Sequence, residues 1–300
     1  MKKDFLSFED ISVKELEKLL QVALQYKKLR DVKKHPQPLK GKSLALLFEK
    51  SSTRTRVSFE VAINELGGHS LYLSAMESQV GRGETYADTA RVLSRYVHGI
   101  VFRTYAQSRL EELASHATVP VINALSDLHH PVQVLADLLT IYEVKKTLKK
   151  IKVAYLGDGN NMANSWIAAA LKLGFELRVA CPKGFEADAL LCAQAQKTTH
   201  IHIGSDPIQA VQHCDVINTD TWFSMGQKED SKKRKLFEPF QVNESLIKRA
   251  SPQVMVLHCL PAHRGEEITD EVMDGPHSYV FDQAENRLHV QKALLSLLIT

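Results

Sequence analysis

Short apolar runs rich in Val, Ile and Leu recur along the chain, and between them lie segments whose apolar residues repeat with helical period. This alternation constrains the fold more than any other feature, because strands separated by helices build α/β layers. Residues 43–48 read as a buried strand. After it, Phe59, Ala62, Ile63 and Leu66 fall at i, i+3, i+4 and i+7, so the segment following Ser52 is an amphipathic helix that Gly67-Gly68 ends. Further strands are expected at 70–73, 99–102 and 119–123, and Pro131 opens a helix carrying Val134, Leu138 and Tyr142. The charged stretch 145–150 precedes a fresh strand at 151–156, which divides the chain into domains 1–143 and 144–300. The second half repeats the rhythm, with strands near 176–180, 200–203, 215–218, 253–258 and 279–281. The expected fold class is α/β: two doubly wound domains, each a mainly parallel sheet flanked by helices. A final helix, about 285–298, has no strand after it, and two placements stay open: on its own domain or back on the first.

Composition excludes several classes of function. A length of 300 residues suits two domains of roughly 100–200 residues each. Lys and Arg number 38 against 35 Asp and Glu, a net charge of +3, with 24% charged and 44% hydrophobic residues. That balance belongs to a soluble globular protein, not to a disordered chain or one whose main partner is nucleic acid. The charged run 228–235 reads as a solvated loop. Cys181, Cys192, Cys214 and Cys259 lie far apart, without the close pairs of zinc ribbons, which suits reduced thiols and no structural metal. No secretory leader is visible at the N-terminus, and the apolar stretch 293–299 is far short of the ~20 residues that cross a bilayer. The expected location is the cytoplasm, away from membranes.

In open parallel sheets, ligands bind beyond the carboxyl ends of the strands, so polar residues there carry the candidate chemistry. Ser52, Thr53, Arg54 and Thr55 lie between the strand 43–48 and the next helix. Hydroxyls, a guanidinium and the N-H donors of a helix start suit a phosphate dianion, whereas the bland alternative is an N-cap with solvated arginines. Arg103 follows the strand 99–102, and His130 and Gln133 follow 119–123, so three loops offer donors at one rim. In the second half, Gly157-Asp158-Gly159-Asn160-Asn161 lacks the G-x-G-x-x-G spacing of a dinucleotide site. Its asparagines suit an amino-acid head group, or else cap the helix expected at 165–173. Asp220 can pair with an ammonium, and Cys259, in His258-Cys259-Leu260-Pro261, is either a contact for an amine nucleophile or a small apolar filler.

Together these residues resemble the ornithine carbamoyltransferases within the aspartate/ornithine carbamoyltransferase superfamily, over nearly the whole chain. Ser52-Thr53-Arg54-Thr55, Arg103 and His130-Pro131-x-Gln133 resemble the family's carbamoyl-phosphate contacts in family order. His258-Cys259-Leu260-Pro261 and Asp220-x-x-x-Ser224-Met225-Gly226 are the motifs that separate ornithine from aspartate enzymes, and Asp282-Gln283-Ala284-Glu285-Asn286-Arg287 completes the set. The resemblance implies transfer of the carbamoyl group of carbamoyl phosphate to the δ-amine of L-ornithine, without metal or organic cofactor. Carbamoyl phosphate would be held by Ser52, Thr53, Arg54, Thr55, Arg103, His130, Gln133, Cys259, the Leu260 carbonyl and Arg287, with Gln79 reaching in from a neighbouring subunit. Ornithine would be held by Asn161, Asp220, Ser224 and Met225. Arg54, Arg103, His130 and Cys259 are the implied catalytic residues. The resemblance also implies a homotrimer, or a multiple of trimers, and a cis bond before Pro261. Competing readings are a carbamoyltransferase for aspartate, N-acetylornithine or putrescine, a dinucleotide-dependent oxidoreductase, and a noncatalytic metabolite-binding homologue. Whether the site builds citrulline for arginine synthesis or runs toward phosphorolysis stays open.

Overall fold

A computed structural model describes residues 3–74, 83–223 and 231–299. The chain forms two compact units, one comprising residues up to Leu139 together with those from Asn286 onward, the other Thr140–Glu285. The first division falls inside a helix, a few residues ahead of the charged run at 145–150.

The first unit is built on a parallel sheet in the order β2-β1-β3-β4. Its strands are β1 (Ser43–Phe48), β2 (His69–Ser74), β3 (Gly99–Arg103) and β4 (Val121–Leu125). The connections are α2 (Thr53–Glu65), α3 (Tyr86–Leu93) and α4 (Gln107–His116), and α5 (Pro131–Lys145) follows β4. Central β1 and β3 are buried along almost their whole length, which is why they read as unbroken apolar runs. An N-terminal helix, α1 (Val13–Asp31), has no counterpart among the expected elements. It is defined at its start by a capping box in which Ser12 and Glu15 bond each other's backbone N-H.

The second unit holds a parallel sheet in the order β7-β6-β5-β8-β9. These strands are β5 (Lys152–Leu156), β6 (Glu176–Ala180), β7 (Ile201–Gly204), β8 (Val216–Thr219) and β9 (Met255–His258). The helices between them are α6 (Asn161–Leu173), α7 (Ala189–Ala195), α8 (Pro207–Val211), α9 (Ser231–Phe237) and α10 (Glu244–Ile247). After β9 come α11 (Asp270–Met273) and α12 (Val280–Leu298). In each sheet the strand order reverses beside the first strand, opening a crevice at the carboxyl ends of β1 and β3, and again at those of β5 and β8.

One expected strand is absent. Tyr279 N still donates to Val256 O of β9 at 3.0 Å, but Val280 and Phe281 open α12, because Gln283 N donates to Tyr279 O and starts a helical ladder. Contact with the sheet is confined to a single bridge between Val256 and Ser278. The end of α12 rejoins the first unit: Ile299 fills the space where a side chain on Gly99 would stand. Among the described residues no helix is long and apolar enough to cross a membrane.

Candidate active site

In the first unit the functional groups gather where β1 and β3 end. Ser52, in extended backbone, caps α2, and its Oγ accepts from Thr55 N at 3.4 Å. The helix therefore begins with its free N-H groups, Thr53 and the exposed Arg54 at the rim. Thr55 is 1% exposed, and its Oγ1 accepts from Arg287 Nη2 at 2.7 Å. Arg103, 5% exposed, ends β3 directly beside Phe48 of β1.

His130 sits immediately before Pro131, the first residue of α5. Burial, then the charges of Arg287 and Arg103, push its imidazole well below the ordinary histidine value, so it is neutral near pH 7. Gln133, one turn further on, donates from Nε2 to Asp137 Oδ1 at 2.9 Å, and its buried Oε1 has no hydrogen-bond partner among the described residues. Thr55, Arg103, His130 and Arg287 thus form one electropositive cluster, with Gln133 presenting an acceptor one turn beyond His130.

A residue absent from the sequence expectations organises this rim. Glu49 accepts from the Tyr86 and Thr104 hydroxyls, from Tyr105 N at 3.1 Å and from Arg109 Nη1 at 3.1 Å. Burial works against its ionised form, but these donors outweigh it and hold the carboxyl below its ordinary value. The loops that follow β1 and β3 are tied together through it. The sequence signal is an acidic residue where an apolar strand ends.

In the second unit the site is built at the ends of β5, β8 and β9. Gly157 adopts φ +124°, and any side chain on Gly159 would collide with the backbone of Glu186 and Ala187. Gly159 N donates to Phe185 O at 2.9 Å, so this glycine serves close chain packing and not a pyrophosphate. The next residue, Asn160, caps α6 by accepting from Met162 N at 2.8 Å. This corrects the expected helix start at 165: α6 begins at Asn161, and Asn164 accepts from Asp188 N.

Asp220, 7% exposed, lies just beyond β8. Its Oδ2 accepts from Asn160 Nδ2 at 2.8 Å, and its Oδ1 accepts from Cys259 Sγ at 2.9 Å and from Thr221 N at 2.8 Å. Tyr155 donates to Asp158 O at 2.9 Å and Asn160 Oδ1 at 3.1 Å, and burial, reinforced by Asp220's charge, holds the phenol well above its ordinary value. Cys259 and Leu260 follow β9 in an unusual backbone: Leu260 has φ +59° and its bond to Pro261 is cis.

His258, fully buried, accepts at Nδ1 from Leu260 N and bonds Glu267 Oε1 through Nε2, each at 2.9 Å. A backbone N-H pointing at Nδ1 places the ring proton on Nε2. Asp220, His258 and Cys259 bring three metal-capable side chains together, as do His263, Glu266 and Glu267. Both nitrogens of His258 are engaged by protein groups, so the first set offers a hydrogen-bonded cluster. Lys233, 9% exposed, pairs with Asp158 Oδ2 at 2.9 Å inside a box of Phe185, Phe223 and Phe237 rings.

Of the expected site residues, Ser52, Thr53, Arg54, Thr55, Arg103, His130, Gln133 and Arg287 share the first unit's rim. Asn161, Asp220, Cys259 and Leu260 stand at the carboxyl ends of the second unit's strands. Gln79, Ser224 and Met225 lie outside the described residues. A separate cavity of about 600 Å³, lined by Lys152, Arg178, His202 and His213, involves the opening residue of β5. The Arg178 guanidinium there is already bonded to Glu176 and to Gln212 O.

Comparison with known proteins also divides the chain in two, with the C-terminal helix counted in the second part. Residues 3–143 match the family model described as aspartate/ornithine carbamoyltransferase, carbamoyl-P binding domain, and residues 149–298 match its Asp/Orn binding domain. The chain is 53% identical over 301 residues to an ornithine carbamoyltransferase of Syntrophotalea carbinolica, covering 100% of both chains. It is 52% identical over 303 residues to an anabolic ornithine carbamoyltransferase of Pyrococcus furiosus, covering 99% of this chain and 96% of that one. Among solved structures, ornithine carbamoyltransferase from Pyrococcus furiosus superposes with a TM-score of 0.94 at 52% identity, covering 99% of this chain and 96% of that one. The Thermus thermophilus enzyme superposes with a TM-score of 0.91 at 45% identity, covering 100% of each.

Proposed function

The chain belongs to the aspartate/ornithine carbamoyltransferase family, and from that premise we infer that it is an ornithine carbamoyltransferase. It transfers the carbamoyl group of carbamoyl phosphate to the δ-amine of L-ornithine, giving L-citrulline and phosphate. The observation that carries the residue assignment is the cluster in which Arg287 bonds Thr55 while Arg103 and a neutral His130 stand beside it.

The chemistry assigns the roles. The phosphate sits on the start of α2, held by Ser52, Thr53 and Arg54. Thr55, Arg103, His130 and Arg287 surround the carbonyl oxygen, where negative charge grows as the tetrahedral centre forms. A neutral imidazole donates a hydrogen bond there without adding a third cation. Gln133 Oε1 accepts from the carbamoyl amino group. Asp220 pairs with the α-ammonium of ornithine, and Asn161 reads its carboxylate, with Ser224 and Met225 in the same group. The δ-amine, with a pKa near 10.4 like that of lysine, must shed a proton before it attacks. Cys259 and the Leu260 carbonyl stand beside it. Attack forms the C–N bond and the tetrahedral centre. As that centre collapses the C–O bond to phosphate breaks, its electron pair leaves with the phosphate, and the proton remaining on the attacking nitrogen passes to the departing phosphate. Orientation of two charged substrates supplies much of the rate.

The same proposal includes a cytoplasmic homotrimer, or a multiple of trimers, completed at Gln79 by a neighbouring copy. Four cysteines outside any disulfide suit a reducing compartment, and Val57 on α2 and Leu71 on the edge strand β2 are exposed apolar surface that another copy would cover. The reading is tested by incubating the protein with carbamoyl phosphate and L-ornithine. Citrulline and phosphate should appear in equal amounts, and phosphate without citrulline would contradict it.

A further inference from the structure

We propose that Asn160, the helix cap that precedes the ornithine-reading Asn161, is a positioning residue that sets the orientation of Asp220. The inference rests on the assignment of Asp220 to the ornithine head group.

Three contacts fix the Asn160 amide. Its Oδ1 faces two donors, Met162 N at 2.8 Å and the Tyr155 hydroxyl at 3.1 Å. Donors can be met only by the carbonyl oxygen, so the Nδ2 group is obliged to point the other way. That way lies Asp220 Oδ2, at 2.8 Å. The opposite oxygen of Asp220 receives Cys259 Sγ and Thr221 N. The carboxylate is therefore gripped on both sides and cannot turn without breaking a buried hydrogen bond. Asn160 links the start of α6 to the two residues that meet the ammonium and the reacting amine. A cap alone would need only the acceptor oxygen, whereas the positioning role needs the NH2.

This separation defines the test. Ser and Asp both cap helices about as well as Asn, so Asn160→Ser and Asn160→Asp preserve the acceptor for Met162. Ser loses the donor to Asp220, and Asp replaces it with a second carboxylate oxygen. Hydrogen bonds to charged groups support an expected rise of about tenfold or more in the KM for ornithine in Asn160→Ser. Asn160→Asp should lose still more kcat/KM, through repulsion between facing carboxylates. Carbamoyl phosphate affinity, measured by titration calorimetry, should stay within about twofold in both, and both should melt within a few degrees of the wild type. Ornithine kinetics unchanged in both variants, or Asn160→Asp as active as the wild type, would overturn the positioning role while leaving the enzyme assignment intact. A wild type that makes no citrulline would overturn both.

Discussion

Arg287 donates from Nη2 to Thr55 Oγ1 at 2.7 Å although 232 residues separate them in the chain. The C-terminal helix thereby reaches the first turn of the helix that follows β1, and both residues are almost wholly buried. Replacing Arg287 with Met keeps an apolar stem and removes the charge. A buried hydrogen bond to a charged group is worth ~1.5–3 kcal/mol, so carbamoyl phosphate affinity should fall roughly 10- to 100-fold. Titration calorimetry with carbamoyl phosphate measures this directly, and a change below twofold would remove Arg287 from the site.

Arg54 is exposed, so its removal should not cost the fold more than ~0.5 kcal/mol. Its proposed work is on the departing phosphate. Arg54→Ala should lower kcat by ~10²–10³ with an unchanged melting temperature, as expected for loss of one preorganised charge-stabilising donor. Steady-state citrulline kinetics beside a thermal melt check the pair of outcomes.

His130 is buried as the neutral imidazole, its pKa pushed well below the ordinary value by burial and by Arg287 and Arg103. Below about pH 6.5 the unfolded chain binds a proton here that the folded chain refuses. Stability contributed by this site therefore rises with pH and is lost as pH falls, by at most ~1.4 kcal/mol per pH unit. His130→Gln removes that dependence. Between pH 7.5 and 5.5 the wild type should lose more stability than the variant in urea titrations, and parallel losses would contradict the assignment.

Gly159 has no room for a side chain against the backbone of Glu186 and Ala187. Backbone cannot step aside as a flexible side chain does, so Gly159→Ala should cost about 3 kcal/mol or more. For a chain of this size that is a fall of roughly 6–12 °C in melting temperature. A variant that melts like the wild type would show that the Phe185–Ala187 segment does not pack as described.

The strands were legible where burial covers both faces. Residues 43–48 read as a strand and are a strand at those bounds, because an apolar run between polar flanks leaves little choice, whereas 176–180 is legible by alternation, Leu177 and Val179 being buried and Glu176 and Arg178 half-buried. Residues 279–281 failed for the opposite reason: Tyr, Val and Phe favour strands, but three residues cannot outweigh a helix that continues to Leu298. The neighbours Asn160 and Asn161 are chemically identical, and only the position of the turn decides which caps α6 and which begins it. Tyr155 and Glu267 carry no local pattern, and the one signal at Glu49, an acidic residue at the end of an apolar strand, does not say what it bonds. Glu49's partner Arg109 is 60 residues away, and such pairings exist only after folding. The spacing of the Gly157–Asn161 stretch differs from that of a dinucleotide loop, but the packing role of Gly159 is visible only once the backbone of Glu186 is in place.

The acceptor decides the central claim. Citrulline or its analogue should be measured from carbamoyl phosphate with L-ornithine, N-acetylornithine, putrescine and aspartate in parallel. The account predicts fast turnover with L-ornithine and little with the other three: the proposed pairing of Asp220 with a free α-ammonium disfavours N-acetylornithine, that of Asn161 with a carboxylate disfavours putrescine, and aspartate has no second amine to attack once its α-ammonium is held. Turnover with N-acetylornithine, putrescine or aspartate that equals or exceeds turnover with L-ornithine would contradict it.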